Sequence, residues 1–396
     1  MNRQILEKSV QAFLKANREK NPGDLALKKS PFQTVNASEL AVQIDGWQRS
    51  VRKLPTWAFS QGVYYPNRIH LEQCSSEHTA LIKQTLIAKE STVVDVTGGF
   101  GVDSCYMAQA ARQVVHCEIN PDLSQIVAHN AAVLQVDNLV CKPVDGLAYL
   151  QDQADHSIDY IYIDPSRRSG QSKVFLLEDC EPNILNYQTL FFTKSQQVIT
   201  KLSPLLDIST VLSSLPAVKS VLVISVDNDC KELLFLQERG FCGRPSIRAI
   251  RLFTDQIQTF DFYYDDEKAV LNRYGEPQTY LYDPDVAITK AGAFKSVGKH
   301  YGFAKLHQHT HLYTSDQLVK SFPGRVFRIQ KVLPYASLKR DFRVEQGNVA
   351  TRNFPEKVAQ IKKKFKIRDG GSTFLFFATN QHNQLIVIVA ERLTAI

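Results

Sequence analysis

From residue 92 to about 265, short apolar runs alternate with segments whose apolar residues recur at helical spacing. The runs 92–95, 113–117, 139–142, 160–163, 197–201, 220–226 and 247–253 predict strands, because a continuous apolar stretch of this length fits a strand buried on both faces. Between them, 104–111, 121–134, 182–195 and 208–215 predict helices. A polar turn joins 247–253 to 259–264, which reads as a closing hairpin. The alternation predicts an α/β class protein with an open, mostly parallel sheet of seven strands and helices on both faces. Before it, residues 1–71 are mainly helical. The segments 9–14 and 36–51 carry the helical period, Pro22-Gly23 breaks between them, and Asn36 or Ser38 can cap the second. Ser75 or Ser76 caps a further helix, expected to reach about Lys89 and lead into the first strand. After Gly275-Glu276-Pro277 the regular alternation stops, and strands and helices mix as in an α+β region.

Composition changes this picture little, whereas the distribution of charge changes it more. Hydrophobic residues make up 44% and charged residues 22%, as in an ordinary globular protein. No apolar run reaches the length of a membrane span, and the N-terminal stretch lacks the apolar core of a signal peptide. Seven cysteines stand without any C-x-x-C pair, so neither a disulfide framework nor a zinc ribbon is expected, and the chain reads as cytoplasmic. The net charge of +7 is uneven. From Lys290 onward there are 19 Lys and Arg against 6 Asp and Glu, a surplus of +13, while the remainder carries 28 against 34, or −6. A basic terminal region beside an acidic one suits a module that meets polyanions joined to a catalytic body. A basic face that is merely solvated is the plain alternative.

The chemistry concentrates at the ends of the predicted strands. The first runs into Asp95-Val96-Thr97-Gly98-Gly99-Phe100-Gly101-Val102-Asp103-Ser104, a Gly-rich turn that opens a helix. Such a turn lets a ligand approach where a Cβ would collide. Glu118 ends the second strand, Asp145-Gly146 follows the third and Asp164 ends the fourth. This row suits an S-adenosylmethionine site. Asp95 and Asp103 can hold water or bind the cationic amino-acid end, with Thr97, Gly98, Gly99 and Gly101 forming the turn. Glu118 accepts the ribose hydroxyls, and Asp145-Gly146 takes the adenine amine. A dinucleotide site also uses the acid of the second strand, but its G-x-G-x-x-G pattern wants glycine at position 104, which is Ser104, and Asp103 would repel a pyrophosphate.

Asp164-Pro165-Ser166-Arg167-Arg168 discriminates further. Methyltransferases that modify amines of bases often end this strand in (Asp/Asn)-Pro-Pro-aromatic, which orients the nitrogen lone pair for in-line transfer. Asp164 and Pro165 fit the first half. Arg167 stands where an aromatic would stack on the base, and a guanidinium can stack or grip phosphate. An internal salt bridge from Arg167 or Arg168 to Glu178 or Asp179 is the structural alternative. Three alternating histidines, His307, His309 and His311, would share one strand face; an ordinary solvent-facing strand explains them better than a metal site, and no metal is expected. Cys180 and Cys230 stand in no nucleophile motif. The most basic stretch, Lys362, Lys363, Lys364, Lys366 and Arg368, is expected to end a helix begun near Pro355 and to contact phosphates.

Together, Glu72-Gln73-Cys74-Ser75-Ser76, the Gly-rich turn, Asp164–Arg168, Leu177-Glu178-Asp179-Cys180-Glu181-Pro182 and Lys201-Leu202-Ser203-Pro204 resemble a bacterial family found mainly in Bacteroidetes. That family consists of class I S-adenosylmethionine-dependent methyltransferases with a THUMP-like C-terminal domain. Their Rossmann-like core is similar to that of trimethylguanosine synthase. The resemblance implies a helical N-terminal cap over 1–71, the methyltransferase core over 72–268, a ferredoxin-like segment over 275–320 and a THUMP-like RNA-binding domain over 323–396. It implies S-adenosylmethionine as cofactor and RNA as partner, with methylation of a base nitrogen in which Asp164, Pro165, Arg167 and Arg168 act. Three alternatives stand beside it: an RNA-binding protein with a degenerate methyltransferase fold, a nicotinamide-dependent oxidoreductase, and a methyltransferase of DNA or a small molecule.

Overall fold

The structure, a computed structural model, describes residues 1–167, 177–253, 256–341 and 343–393. The chain forms two compact units that interleave in sequence: Met1–Val218 with Leu234–Phe241, and Lys219–Leu233 with Cys242–Ile396.

In the first unit, β1 (Thr92–Asp95), β2 (Gln113–Cys117), β3 (Leu139–Lys142), β4 (Ile158–Ile163) and β5 (Ser195–Leu202) run parallel in the order β3-β2-β1-β4-β5. The strand order reverses between β1 and β4, the point where open α/β sheets bind ligands outside their carboxyl ends. The N-terminal helical region does not stand apart from this sheet. Helix α1 (Ala37–Lys53) starts on a capping box in which Asn36 and Glu39 satisfy each other's backbone N–H groups. Its Leu40 and Ile44, with Trp57 and Tyr65, share one core with Val93, Val114 and Tyr160 of the strands. The Trp57 ring lies 4.9 Å from Phe100 of the Gly-rich turn, so burial of this indole, worth about 2–3 kcal/mol, also braces the turn. Helix α2 (Glu77–Gln84), capped by Ser76, stops well before Lys89. Helices α3 (Val102–Ala108), α4 (Pro121–Val133) and α5 (Gly146–Gln151) follow β1, β2 and β3 in turn.

Next come β6 (Val218–Val226), β7 (Asp229–Glu238), β8 (Ser246–Phe253) and β9 (Gln256–Tyr263). In the second unit, β8 pairs parallel with β6 and antiparallel with β9, the expected hairpin. Strand β7 is not among the strands the sequence predicts. Its residues Glu232–Phe235 are buried without alternation, so its apolar run has no period that separates strand from helix. The boundary between units falls within it.

The remaining strands of the second unit are β10 (Tyr280–Pro284), β11 (Ala304–Lys305), β12 (Tyr313–Ser315), β13 (Gly324–Pro334), β14 (Asn348–Arg352), β15 (Thr373–Thr379) and β16 (Leu385–Arg392). They form a second sheet in the order β11-β12-β10-β13-β16-β15-β14. Strands β15 and β16 alternate between two cores: Phe376, Ala378, Ile386 and Ile388 face one, Leu375, Phe377, Val387 and Val389 the other. Helix α6 (Val358–Phe365) ends earlier than expected, because Lys366 adopts the left-handed conformation at its C-cap. No helix among the described residues is long and apolar enough to cross a membrane.

Candidate active site

Parallel register brings the polar strand ends together. Asp95 pairs with His116 on one side and Tyr162 on the other. Two residues further along, β2 delivers Glu118 and β4 delivers Asp164 to the same edge. Ile163 pairs with Thr200, so Asp164 comes next to Lys201 of β5. Alternation along β4 puts Tyr162 and Asp164 on one face.

The turn after β1 closes against the end of β2. Glu118 accepts the backbone N–H of Gly99 through Oε2 at 2.9 Å and that of Asn120 through Oε1 at 2.8 Å. Gly99 and Gly101 have φ of +61° and +73°, which only glycine adopts without strain. A Cβ on Gly101 would stand 2.5 Å from Val127, whereas one on Gly99 would meet nothing nearer than 3.8 Å, so that side of the turn is open. Gly98 packs on Cys117 and His116. At the head of α5, a Cβ on Gly146 would lie 2.2 Å from the Val96 carbonyl oxygen, so helix and strand end approach through glycine. Asp145 is exposed; its Oδ1 accepts the N–H groups of Leu147 and Ala148, and its Oδ2 makes no hydrogen bond among the described residues.

Asp95 is buried. It accepts from Ser104 Oγ at 2.5 Å and from the Thr97 N–H at 3.1 Å. Burial pushes its carboxyl up to about 7, against the pull of these hydrogen bonds. Beneath the turn, His116 is wholly buried, and burial pushes its imidazole below the ordinary value of 6.5.

Asp103 lies in a buried cluster assembled from four stretches of chain. Its Oδ1 takes Lys83 Nζ at 2.9 Å. Its Oδ2 takes the Tyr162 hydroxyl at 2.7 Å, Ser75 Oγ at 2.8 Å and Lys201 Nζ at 3.3 Å. Burial alone would raise the carboxyl, but Lys83 and Lys201 hold it well below the usual carboxylate range. The sequence puts Asp103 in the Gly-rich turn of a cofactor site but does not show its partners. Ser75 and Lys201 fall within the motifs quoted above, but nothing in the sequence linked them to Asp103. Lys83, wholly buried on α2 beside Ala80 and Ile82, carried one signal, a lysine on an apolar helix face.

Lys201 Nζ also reaches Asp164 Oδ2 at 2.5 Å. The Asp164 side chain is 39% exposed, and its backbone N–H donates to Thr97 Oγ1 at 2.7 Å, which ties the end of β4 to the turn after β1. Pro165 is half-buried and leads into Ser166–Arg167, which pairs with Cys180–Glu181 in a two-residue ladder. Only the backbone of Arg167 is described, and Arg168 lies outside the described residues, as does any salt bridge from either side chain.

The basic stretch of the second unit is partly neutralised. Lys362 pairs with Asp369, Lys364 with Glu356 at 2.9 Å and Arg368 with Glu345 at 3.5 Å. Lys363 and Lys366 are exposed and make no ion pair among the described residues. The three histidines do not share a strand. They sit in a loop between β11 and β12, where Thr310 N–H turns back to the His307 carbonyl. His307 bonds Asn383 at 3.0 Å, and His311 stacks on Phe294 at 3.8 Å. No group of His, Cys, Asp and Glu among the described residues is placed to hold a metal. Cys180 is buried, and burial pushes Cys230 up to about 12.

Known proteins resemble this chain in part and in whole. Residues 280–323 match a family model described as a ferredoxin-like domain, and 324–392 match one described as THUMP domain-like. An uncharacterized S-adenosylmethionine-dependent methyltransferase of Mycobacterium tuberculosis is 25% identical over 232 residues, 59% of this chain. The match spans 61% of the length of that relative, as it does in a second strain. A crystal structure from Porphyromonas gingivalis W83, described as a candidate methyltransferase, superposes with a TM-score of 0.90 at 30% identity and covers 99% of both chains.

Proposed function

Because the chain belongs to the family of S-adenosylmethionine-dependent methyltransferases with ferredoxin-like and THUMP-like C-terminal domains, we propose that it methylates a base nitrogen in RNA. The single observation that carries this reading is Asp164, a partly exposed carboxylate fixed by its backbone to Thr97 at the point where the strand order reverses. The residues of the turn fit the cofactor. Gly99 leaves an open face, Glu118 spends one contact from Oε2 on the turn and one from Oε1 on the Asn120 N–H and keeps lone pairs for the ribose hydroxyls, and Ile119 beside it is 73% exposed. Asp145 keeps one oxygen for the adenine amine. When bound, S-adenosylmethionine supplies an electrophilic methyl group on a cationic sulfur.

Asp164 accepts an N–H of the target nitrogen and thereby aims its lone pair. Positioning of this kind accounts for much of the rate in a transfer that needs in-line geometry. The proton lost from the methylated nitrogen passes to water through the exposed side of the carboxylate. Lys363 and Lys366, with the exchangeable surface pairs around them, supply phosphate contacts that carry no sequence information. The THUMP-like match favours RNA over DNA.

The experiment is transfer of labelled methyl from S-adenosylmethionine to total nucleic acid from a strain lacking the protein, split between RNase and DNase, with Asp164→Ala as control. Label lost only to RNase, and absent with the variant, is the expected result. Label lost to DNase, or transfer to neither polymer with cofactor binding intact, overturns it in favour of a DNA or small-molecule acceptor.

A further inference from the structure

The cluster around Asp103 lies directly behind Asp164, and its composition is unusual for a protein interior. Among the described residues, two ammonium groups, Lys83 and Lys201, meet two carboxylates, Asp103 and Asp164, so the charges of these pairs balance. Lys83 is 0% and Lys201 10% exposed. Buried pairs like these rarely add stability over a well-packed apolar core, so their presence calls for another explanation. Ser75 ties the cluster together: its hydroxyl donates to Asp103 and accepts from Lys83 at 2.9 Å and Lys201 at 3.2 Å. Tyr162 closes it from β4, the strand that carries Asp164. Every member but one is buried in the unit, and the exception is Asp164.

We propose that Lys201, held in place by Asp103, Lys83 and Ser75, is a positioning residue that fixes the Asp164 carboxylate for the incoming nucleophile. This rests on the reading of Asp164 given above. Lys201 claims Oδ2 of Asp164 and leaves Oδ1 without a partner among the described residues, so one oxygen of known direction remains to accept an N–H. A carboxylate at a strand end has two side-chain torsions to settle. The backbone bond to Thr97 fixes the Cα, and the Lys201 contact fixes the torsions. Lys201 in turn cannot swing toward solvent, because Asp103 and Ser75 hold the same ammonium from behind. Lys83 supplies the second positive charge and so lets Asp103 stay ionised while Lys201 serves two carboxylates. The arrangement is a second layer of support that keeps a reacting group within a fraction of an ångström of its working place.

The test compares full-length wild type with Lys201→Met and Lys201→Arg. Calorimetry gives the affinity for S-adenosylmethionine, methyl transfer to RNA gives kcat and KM, and crystal structures give the position of Asp164. Lys201→Met is expected to lower kcat about 100-fold, the loss that follows when a reacting group is displaced by about 1 Å. KM for RNA and the cofactor affinity should stay within about threefold, and Lys201→Arg should recover at least about tenfold of the loss, because a guanidinium can still bridge both carboxylates. In the Lys201→Met crystal the Asp164 carboxylate should be turned or displaced. Should Lys201→Met not fold, Lys201→Gln, which keeps a donor without the charge, is measured in its place. A kcat within about threefold of wild type, or an Asp164 carboxylate unmoved in the variant crystal, overturns the proposal. If wild type itself methylates no nucleic acid, the RNA reading fails separately, and the crystallographic comparison still decides whether Lys201 positions Asp164.

Discussion

Lys83→Met separates the charge of the buried cluster from its packing. Methionine follows nearly the same path as lysine, so volume is almost conserved and overpacking is avoided. What disappears is an ammonium 2.9 Å from both Asp103 Oδ1 and Ser75 Oγ. At an effective dielectric of 20, a unit pair at this distance attracts by about 6 kcal/mol. The desolvation of Lys83 returns part of that, and a net loss of about 3–5 kcal/mol is expected. Asp103→Asn should also destabilise, since it leaves two lysines facing one remaining carboxylate. The double variant restores a one-to-one pairing of Lys201 with Asp164, so it should be more stable than the two single losses predict by about 2–3 kcal/mol. Both tryptophans, Trp47 and Trp57, lie in the first unit, so urea unfolding followed by their fluorescence reads that unit alone. The acid side supplies a second reading. Because Asp103 is held below its ordinary value of 3.8, its contribution is complete above that value and fades as pH falls through the folded-state value. Lys83→Met should move this loss to higher pH. A Lys83→Met variant within about 1 kcal/mol of wild type, with no coupling in the cycle, would refute the reasoning.

Other outcomes follow from the rest of the site. Glu118→Ala should weaken S-adenosylmethionine binding about 10–100-fold, the worth of charge-assisted hydrogen bonds at 1.5–3 kcal/mol; calorimetry showing a change under about threefold would remove Glu118 from the site. His116 is pushed below 6.5 by burial, so it costs stability as pH falls from 6.5 toward its folded-state value and the unfolded chain takes up the proton. His116→Leu should flatten that portion of a plot of urea midpoint against pH, and an unchanged slope would count against the assignment. Replacing Lys363 and Lys366 by alanine should lower the slope of log affinity for single-stranded RNA against log salt by about 0.7 per lysine; an unchanged slope would place phosphate binding elsewhere.

What the sequence made legible was the part of the site written in consecutive residues. Asp95, Glu118, Asp145 and Asp164 each end a strand or follow one closely, and β-strands deliver their ends to a common edge, so counting strands was enough to gather them. The partners of Asp103 were not legible in this way. Ser75, Lys83, Tyr162 and Lys201 lie 28, 20, 59 and 98 residues from it, and the packing of α2 on α3 together with the register of β4 and β5 brings them together. Strand β7 escaped because a fully buried strand has no alternation to show. The histidines misled for the opposite reason: a period of two over His307–His311 imitates a strand, but the Thr310–His307 turn breaks it. Helix α6 stopped early because its end is set by Lys366 in the left-handed conformation, ahead of Arg368.

The interleaving of the two units bears on how the protein is synthesised. Residues Leu234–Phe241 complete the first unit, yet they leave the ribosome after the second unit has begun at Lys219. The first unit can close at that point, whereas the second is not complete for roughly 150 further residues, about 8–30 s at ordinary translation speeds. Strand β6 meets β8 early in that interval, but β13 has no antiparallel neighbour from β16 until roughly 50 residues after Pro334, and its Phe327 and Leu333 are buried in the finished protein. The nascent chain thus holds out a strand with one unpaired edge for several seconds, a natural target for chaperones and a hazard when expression outpaces them. The segments 280–323 and 324–392 both belong to the second unit, which also takes in Lys219–Leu233, so a shortened protein beginning at residue 275 would lack part of that unit.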